Sequence, residues 1–332
     1  MTDAVTPEER ARFAADLRAV GVRDGDRLAV AVSGGADSLA LLLLAATSHG
    51  DVAAATVDHG LRPAAADEAA MVAGVCDGLA IRHETLRVTV EDRGRGLQAA
   101  ARTARYAALD GWVREAGAAA LATAHHADDQ AETFLMRAAR GAGVAGLAGV
   151  RRRIARPGGP AIVRPLLGWR RRHLALIVDR AGLTAIDDPS NHDDRFDRTR
   201  MRRTLLAHED VLMPERIATA ASWLAEAEEA LAWHADRLFG ERTRWVADGD
   251  EDVLLLDPTD LPGETIRRLV RDCFQEAQDR VTCGAWAWEP PGPDLARLIA
   301  RVSAGDHATL GRIKVSPGPL WRFEAAPPHR SG

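Results

Sequence analysis

The sequence predicts an α/β fold in which a doubly wound parallel sheet is followed by a smaller, mainly helical C-terminal domain. Three observations predict it. Apolar strands alternate with helical stretches of about 10 to 20 residues through the first two thirds of the chain, the pattern of a parallel sheet whose crossovers are helices. Leu28 to Val32 is a short apolar run that turns through Gly34 and Gly35 into an apolar helix closed by Gly50. From Val211 onward the texture changes, with Ile217, Ala221, Leu224, Leu231 and Leu238 spaced by about 3.5 residues, so that a long amphipathic helix opens the second domain. The expected partition is 1–210 and 211–332, and a chain of 332 residues with 46% hydrophobic content has material for both cores.

The elements follow in order. Residues 7–20 form a short amphipathic helix, and Leu28 to Val32 the first strand. Asp51 to Val57 reads as the second strand, ending in Asp58-His59-Gly60-Leu61-Arg62 before a helix from Ala65 to Leu79. Ile81 to Val90 is the third strand, Leu97 to Ala116 a helix, and Ala118 to Ala124 the fourth strand. A helix begins within Ala127 to Thr133, Ile162 to Leu167 suggests a further strand, and Arg170 to Arg180 a helix. Asp187 to Asn191 is a turn rich in capping residues. Arg198, Arg200 and Arg202 cannot all share one helix face, which predicts an extended or irregular segment there. The second domain continues with Val253 to Asp257, helices over 264–277 and 294–302, and a hairpin-like pair around Pro317.

Composition excludes several classes. No run of about 18 apolar residues appears and the N-terminus is acidic and polar, which argues against a membrane span or an export signal. Cys76, Cys273 and Cys283 form neither a CxxC pair nor a disulfide framework, so a reducing cytoplasm is expected. The net charge is -5, yet from Arg137 to Arg203 there are sixteen arginines against six aspartates and no glutamate, a segment of +10 that suggests one polyanion-binding face. Arginine bias in the genome explains the same count, since Lys314 is the only lysine.

Ligands of doubly wound sheets sit beyond the carboxyl ends of the strands, where Ser33 to Ser38, Asp58 to Arg62 and His125 to Glu132 all fall. A strand turning through Gly34, Gly35 and Ala36 into a helix presents backbone N–H groups and the positive helix end to an anion. Ser33 and Ser38 are donors to phosphate oxygens, and Asp37 is placed to hold the Mg2+ that accompanies a nucleotide. By its residues alone the stretch also reads as an ordinary turn with Asp37 or Ser38 as helix N-cap. Asp58 and His59 become a wall for an adenosine. Gln98, Arg102 and Arg105 share a helix face; Arg102 reads as solvated, while Arg105 offers bidentate bonds to a leaving pyrophosphate. Asp129 and Glu132 lie on one face of a first helical turn with His125 at its mouth. They either bind a metal or receive an ammonium group and help deprotonate it into a nucleophile, and the second reading is favoured because further ligands are lacking. Gly141-Ala142-Gly143-Val144-Ala145-Gly146 matches a dinucleotide fingerprint literally, but it follows a helix and lacks the downstream acid, so it reads as a flexible loop flanked by Arg137, Arg140 and Arg151 to Arg153.

The string Ser-Gly-Gly-x-Asp-Ser after a strand resembles the signature of the PP-loop ATP pyrophosphatases, and no Walker-type Gly-Lys-[Ser/Thr] loop is present. With VDHGLR, QAAARTARYAAL, AHHADDQAET, RGAGVAGLAG, RPLL and DDPSN in this order, residues 25–210 resemble the bacterial tRNA(Ile)-lysidine synthetases. The resemblance implies that ATP adenylates C2 of the wobble cytidine in a CAU anticodon and that the ε-amine of free lysine then displaces AMP. It implies Ser33, Gly34, Gly35, Asp37 and Ser38 on ATP and Mg2+, Arg105 and His125 around the phosphates, Asp129 and Glu132 on the lysine ammonium, and Arg198 in the adenylate or tRNA step. The family shows Arg-Asn-Arg-Ile-Arg where this chain has Arg198-Thr199-Arg200-Met201-Arg202. The second domain resembles the family's tRNA-binding domain, and the further C-terminal domain of longer relatives has no counterpart here. A homodimer is compatible with the sequence. The competing readings are another PP-loop enzyme, such as a tRNA thiolase, which would need cysteines near the site, and a nucleotide sensor without turnover.

Overall fold

The computed structural model describes residues 1–60, 65–90, 97–156, 158–186, 197–249, 251–282 and 291–326. Leu61, Arg62, the turn from Asp187 to Asn191, Cys283, Trp286 and Trp288 lie outside them. The chain divides into two units, Met1–Ala225 and Glu226–Gly332.

In the first unit the elements run α1 (Pro7–Ala19), β1 (Leu28–Ala31), α2 (Ala36–Ser48), β2 (Val52–Asp58), α3 (Ala65–Gly78), β3 (Arg82–Arg87), α4 (Leu97–Glu115) and β4 (Ala120–Ala122). They continue with α5 (Ala127–Ala138), α6 (Val144–Leu147), β5 (Arg153–Arg156), β6 (Gly159–Val163), α7 (Arg171–Arg180) and α8 (Asp197–Ala207). The six strands order as β3-β2-β1-β4-β6-β5, parallel except for β5, which pairs antiparallel with β6 at the edge. The chain winds outward from β1 to β3 and returns on the other side of β1 as β4. The order therefore reverses between β1 and β4, and a crevice opens beyond their carboxyl ends.

Burial explains the wind. Leu28, Ala29 and Val30 are buried, the continuous apolar run of a strand covered on both faces. In α2, every residue from Ser38 to Ala45 is buried, because this helix lies between the sheet and the pair α1 and α7. Each of its leucines contributes about 1.5–3 kcal/mol on burial, which seats the helix that carries the glycine loop firmly against the sheet.

Three local expectations change. The strand expected over 162–167 ends at Val163, since Pro165 has no N–H to donate and opens a 3-10 turn, Pro165–Gly168. The expected flexible glycine loop contains one helical turn, α6, and Arg137 Nη1 pins it by donating to the carbonyls of Gly146 at 2.8 Å and Gly149 at 3.1 Å. Finally, Arg198 to Arg203 lie in a helix, not an extended segment. Arg198 and Arg202 are i and i+4 and share a face, while Arg200 projects elsewhere.

In the second unit, part of α9 (Pro214–Arg242) is joined by β7 (Thr243–Asp248), β8 (Glu251–Leu256), α10 (Gly263–Thr282), α11 (Gly292–Ser303), β9 (Ala308–Leu310), β10 (Ile313–Ser316) and β11 (Trp321–Ala325). The helices expected here are accompanied by a small antiparallel sheet, β7-β8-β11-β10-β9. Leu269, Val270, Cys273, Phe274 and Ala277 of α10 cover it, with Phe274 edge-on to Phe323 at 5.8 Å. Trp321 is buried in this core.

Candidate active site

The glycine loop lies at the carboxyl end of β1, on one side of the reversal point. Gly34 adopts φ +82°, a left-handed conformation natural to glycine, and its carbonyl accepts the Ile186 amide at 2.9 Å. A Cβ there would collide with the Ile186 side chain. Ser38 Oγ accepts the Ser33 amide at 3.1 Å and donates to the Gly35 carbonyl at 2.9 Å, closing the loop on itself. Gly35 caps α2 without a side-chain hydrogen bond, so the first amides of a 13-residue helix open onto the loop, the geometry that receives phosphate. Asp37 is not the N-cap that a plain turn would make of it. Its Oδ1 is buried with no hydrogen-bond partner among the described residues, and Oδ2 lies 3.4 Å from His126 Nε2.

On the other side of the reversal point, β4 feeds α5 through His125 and His126. His126 is the N-cap: its Nδ1 accepts the Asp129 amide at 3.3 Å while the Asp129 carboxylate accepts the His126 amide at 3.1 Å. That leaves Nε2 to face Asp37 and, at 3.5 Å, Asp129. Burial by itself would push the His126 pKa down, but Asp129, Asp37 and Asp128 outweigh it and hold it above the ordinary value. Burial also acts to raise Asp129, and His126 with Arg198 overcomes this and lowers it. Asp128 has a different task. It accepts the Arg171 amide at 2.8 Å and the Arg170 guanidinium, which also binds Glu209 and Glu215, so it ties α5 to α7.

Glu132, one turn further along α5, is 1% exposed, and both of its oxygens are engaged. Arg198 Nε donates to Oε2 at 2.8 Å and Arg202 Nε to Oε1 at 2.7 Å, while Arg198 Nη2 reaches Asp129 Oδ1 at 3.2 Å. A cavity of about 60 Å³ is lined by Asp128, Glu132, Arg170, Arg202, Leu205 and Leu206.

The third wall is cationic. Arg102 and Arg105 of α4 stand over the Tyr106 ring, 5.1 and 5.6 Å from its centroid. Arg164, buried just beyond β6, donates Nη1 to the Arg151 carbonyl at 2.7 Å, while its Nε is unpaired among the described residues. Burial pushes His59 below its ordinary pKa, and neighbouring Arg105 adds to this. Burial likewise pushes His125 to about 4; Asp129 acts to raise it, while Arg164, Arg198 and Arg102 act with burial to lower it, so the imidazole is neutral at physiological pH. Asp58 is less free than a site residue should be: its Oδ1 accepts the Gly60 amide at 2.8 Å and shapes the turn after β2.

The structure thus gathers Asp37, His125, Asp129, Glu132 and Arg198 around the reversal point, with Arg105 and His59 on the cationic wall. Sequence reasoning missed His126, whose signal was its place directly before the acidic first turn of a helix, and the pairing of Arg198 with Arg202, whose signal was the i, i+4 spacing. It also read the arginine-rich segment as freer than it is. Arg137, Arg153, Arg156, Arg164, Arg170 and Arg180 all bind partners within the fold.

A parallel sheet with a glycine loop at its reversal point and an acidic helix start opposite defines a PP-loop ATP-binding enzyme. The family model described as a PP-loop domain matches residues 8–209. Proteins named tRNA(Ile)-lysidine synthase are 45% identical to this chain in Zymomonas mobilis, over 92% of this chain and 90% of that one, and 45% identical in Novosphingobium aromaticivorans, over 96% and 94%. The chain belongs to the tRNA(Ile)-lysidine synthase family. Among solved structures, a U34-tRNA thiolase from Methanococcus maripaludis shares the fold, with TM-score 0.56 and 18% identity over 66% of this chain and 79% of that one. Among the described residues, no helix is long and apolar enough to cross a membrane.

Proposed function

We propose that this chain activates C2 of the wobble cytidine of a CAU-anticodon tRNA(Ile) with ATP, releasing pyrophosphate, and that the ε-amine of free lysine displaces AMP to leave lysidine. The observation that carries this reading is the pair Asp129 and Glu132, set opposite a PP-loop across the reversal point. A sensor without turnover has no use for two acids on one helical turn there.

In this reading Ser33, Gly34, Gly35, Ala36 and Ser38 hold the ATP phosphates with the α2 amides, and His59 with Asp58 borders the adenosine. Arg105 and neutral His125 face the charge that develops on departing pyrophosphate. Asp129 and Glu132 receive the lysine ammonium, orient it, and accept a proton as it becomes a nucleophile. The cavity beside Glu132 has Leu205 and Leu206 in its lining, which offer apolar surface to an aliphatic stem. Arg198 acts between these carboxylates and the nucleic acid.

Magnesium fits the same site, because the unpartnered Oδ1 of Asp37 is a hard oxygen donor at the loop. The ion would be held by the Asp37 carboxylate together with phosphate oxygens of the nucleotide. Such an ion would withdraw charge from the phosphates. Residues 211–332 are read as the tRNA-binding part, the compartment as the cytoplasm, and a homodimer as an assembly that sedimentation velocity would test.

Thiolation is the weaker reading. Cys76 is buried with its thiol pushed up to about 12, and burial raises Cys273 further, so neither is a ready sulfur carrier. The decisive assay is incorporation of labelled lysine into a CAU-bearing isoleucine tRNA transcript with ATP and Mg2+, beside a methionine tRNA of the same anticodon. Label on the first transcript alone supports the reading. Pyrophosphate release without label would remove lysine as the nucleophile.

A further inference from the structure

β4 hands the chain to α5 through Thr123, Ala124, His125 and His126. His126 faces Asp37, whereas His125 turns back to Thr123, whose Oγ1 lies 3.1 Å from His125 Nδ1. Residues i and i+2 of an extended stretch point to one side, which brings this pair together. The Thr123 amide donates to the Val163 carbonyl at 3.0 Å, so the hydroxyl is presented from a backbone tied to β6. At the other ring nitrogen, Nε2 makes no hydrogen bond among the described residues. The ring is held at one nitrogen and free at the other.

Counting donors and acceptors gives that bond its direction. The charged groups acting on His125 among the described residues are Asp129 and the guanidiniums of Arg164, Arg198 and Arg102, and the ring is uncharged among them, so one nitrogen carries a proton and the other does not. Thr123 is buried, and its hydroxyl has no other partner among the described residues. If Nδ1 donated to Oγ1, the hydroxyl proton would be left buried without an acceptor, a cost that the opposite polarity avoids. With the hydroxyl donating, Nδ1 accepts and the ring proton sits on Nε2. An N–H at Nε2 can donate to a phosphate oxygen, whereas a bare lone pair there would repel one.

Resting on the placement of His125 at the phosphates, we propose that Thr123 is a positioning residue for the adenylation step: its hydroxyl donates to His125 Nδ1, keeps the ring proton on Nε2 and aims that N–H at the departing pyrophosphate. Thr123 itself touches neither nucleotide nor RNA. It acts through the imidazole, which supplies a hydrogen bond to the leaving group without adding a positive charge that would retain it.

Nitrogen-15 spectra of the full chain labelled at histidine test this at neutral pH, with the His125 signals assigned by their loss in His125→Gln. In the unmodified chain Nε2 should give the signal of a protonated ring nitrogen and Nδ1 that of a bare one, and inorganic pyrophosphate with Mg2+ should move the Nε2 signal. Thr123→Val, which removes only the hydroxyl's hydrogen bonding, should shift both signals toward those of a free neutral imidazole. With ATP and the tRNA transcript, its single-turnover pyrophosphate release should fall about three- to tenfold while half-saturating ATP stays within about twofold, and Thr123→Ser should restore both spectrum and rate. Should Thr123→Val lose its native circular dichroism, Thr123→Ala beside Thr123→Ser makes the same comparison. A proton on Nδ1 in the unmodified chain overturns the proposal. So does a folded Thr123→Val whose spectrum and release rate match the unmodified chain, the result expected of a hydroxyl that only braces the loop and whose loss lowers thermal stability alone. Failure of the underlying placement looks different: His125→Gln would then release pyrophosphate within about twofold of the unmodified chain, and added pyrophosphate would leave the His125 signals unmoved, whichever nitrogen carries the proton.

Discussion

Replacing Glu132 by Gln separates the two half-reactions and tests the site where its energetics are largest. The carboxylate is buried and accepts two charge-assisted bonds, at 2.8 and 2.7 Å. Gln keeps one acceptor oxygen and turns an NH2 group toward the other guanidinium, so one charge-assisted bond, worth about 1.5–3 kcal/mol, is lost and the attraction to the second arginine weakens. Both arginines are partly exposed, which lets water screen the orphaned charge and keeps the total near 2–4 kcal/mol, below the roughly 3–5 kcal/mol of a fully buried broken pair. For a unit of about 200 residues this lowers the melting temperature by roughly 5–15 °C, leaving the protein folded at 25 °C. Pyrophosphate release with ATP and the tRNA transcript should stay within about tenfold of the unmodified enzyme, because both Glu132 oxygens are bound to Arg198 and Arg202 and not to the glycine loop, whereas lysine incorporation should fall by about a hundredfold or more. Equal loss of both half-reactions in a folded variant would refute the assignment of Glu132 to the nucleophile.

Asp37→Asn removes the charge beside the glycine loop, and pyrophosphate release should drop by about a hundredfold or more, with ATP titrations no longer sensitive to Mg2+; retention of Mg2+-dependent turnover would take the ion away from Asp37. Gly34→Ala forces a side chain into φ +82° against Ile186, at a cost of about 1–2 kcal/mol, so the KM for ATP should rise while circular dichroism stays native. An unchanged KM would mean that the loop does not hold the nucleotide. His125 gives a pH signature. Its folded pKa of about 4 lies below the ordinary 6.5, so the unfolded chain binds the extra proton first and stability falls as pH drops from 6.5 towards 4. His125→Gln should flatten that part of the urea-denaturation profile, and an identical slope in the variant would show that the ring is not held neutral.

The sheet was legible because its strands are apolar on both faces and its crossovers carry helical periodicity, two signals that no tertiary contact has to supply. The glycine loop was legible from its string, Ser33 to Ser38 after an apolar strand, although by residues alone Asp37 also read as a helix N-cap, a place the structure gives to Gly35. The second unit was harder. β8 and the β10–β11 hairpin stand out as apolar runs around a turn, but β9 is three residues long and β7 mixes Thr, Arg and Asp with Trp245 and Val246, so pairing with β8, not pattern, makes it a strand. The acidic helix start shows what single-residue reading leaves out. Asp128, Asp129 and Glu132 look like equivalent acids in sequence, and only the partner of each divides their labour: Arg170 makes Asp128 a tie between helices, His126 makes Asp129 a cap that also faces the loop, and two arginines make Glu132 the buried centre of a clamp. Those arginines come from α8, about 70 residues away in the chain, and the sequence rule that three alternating arginines cannot share a face was correct. It pointed to the wrong backbone because two of the three can share one, and a buried carboxylate on a neighbouring helix stabilises that arrangement over an extended one.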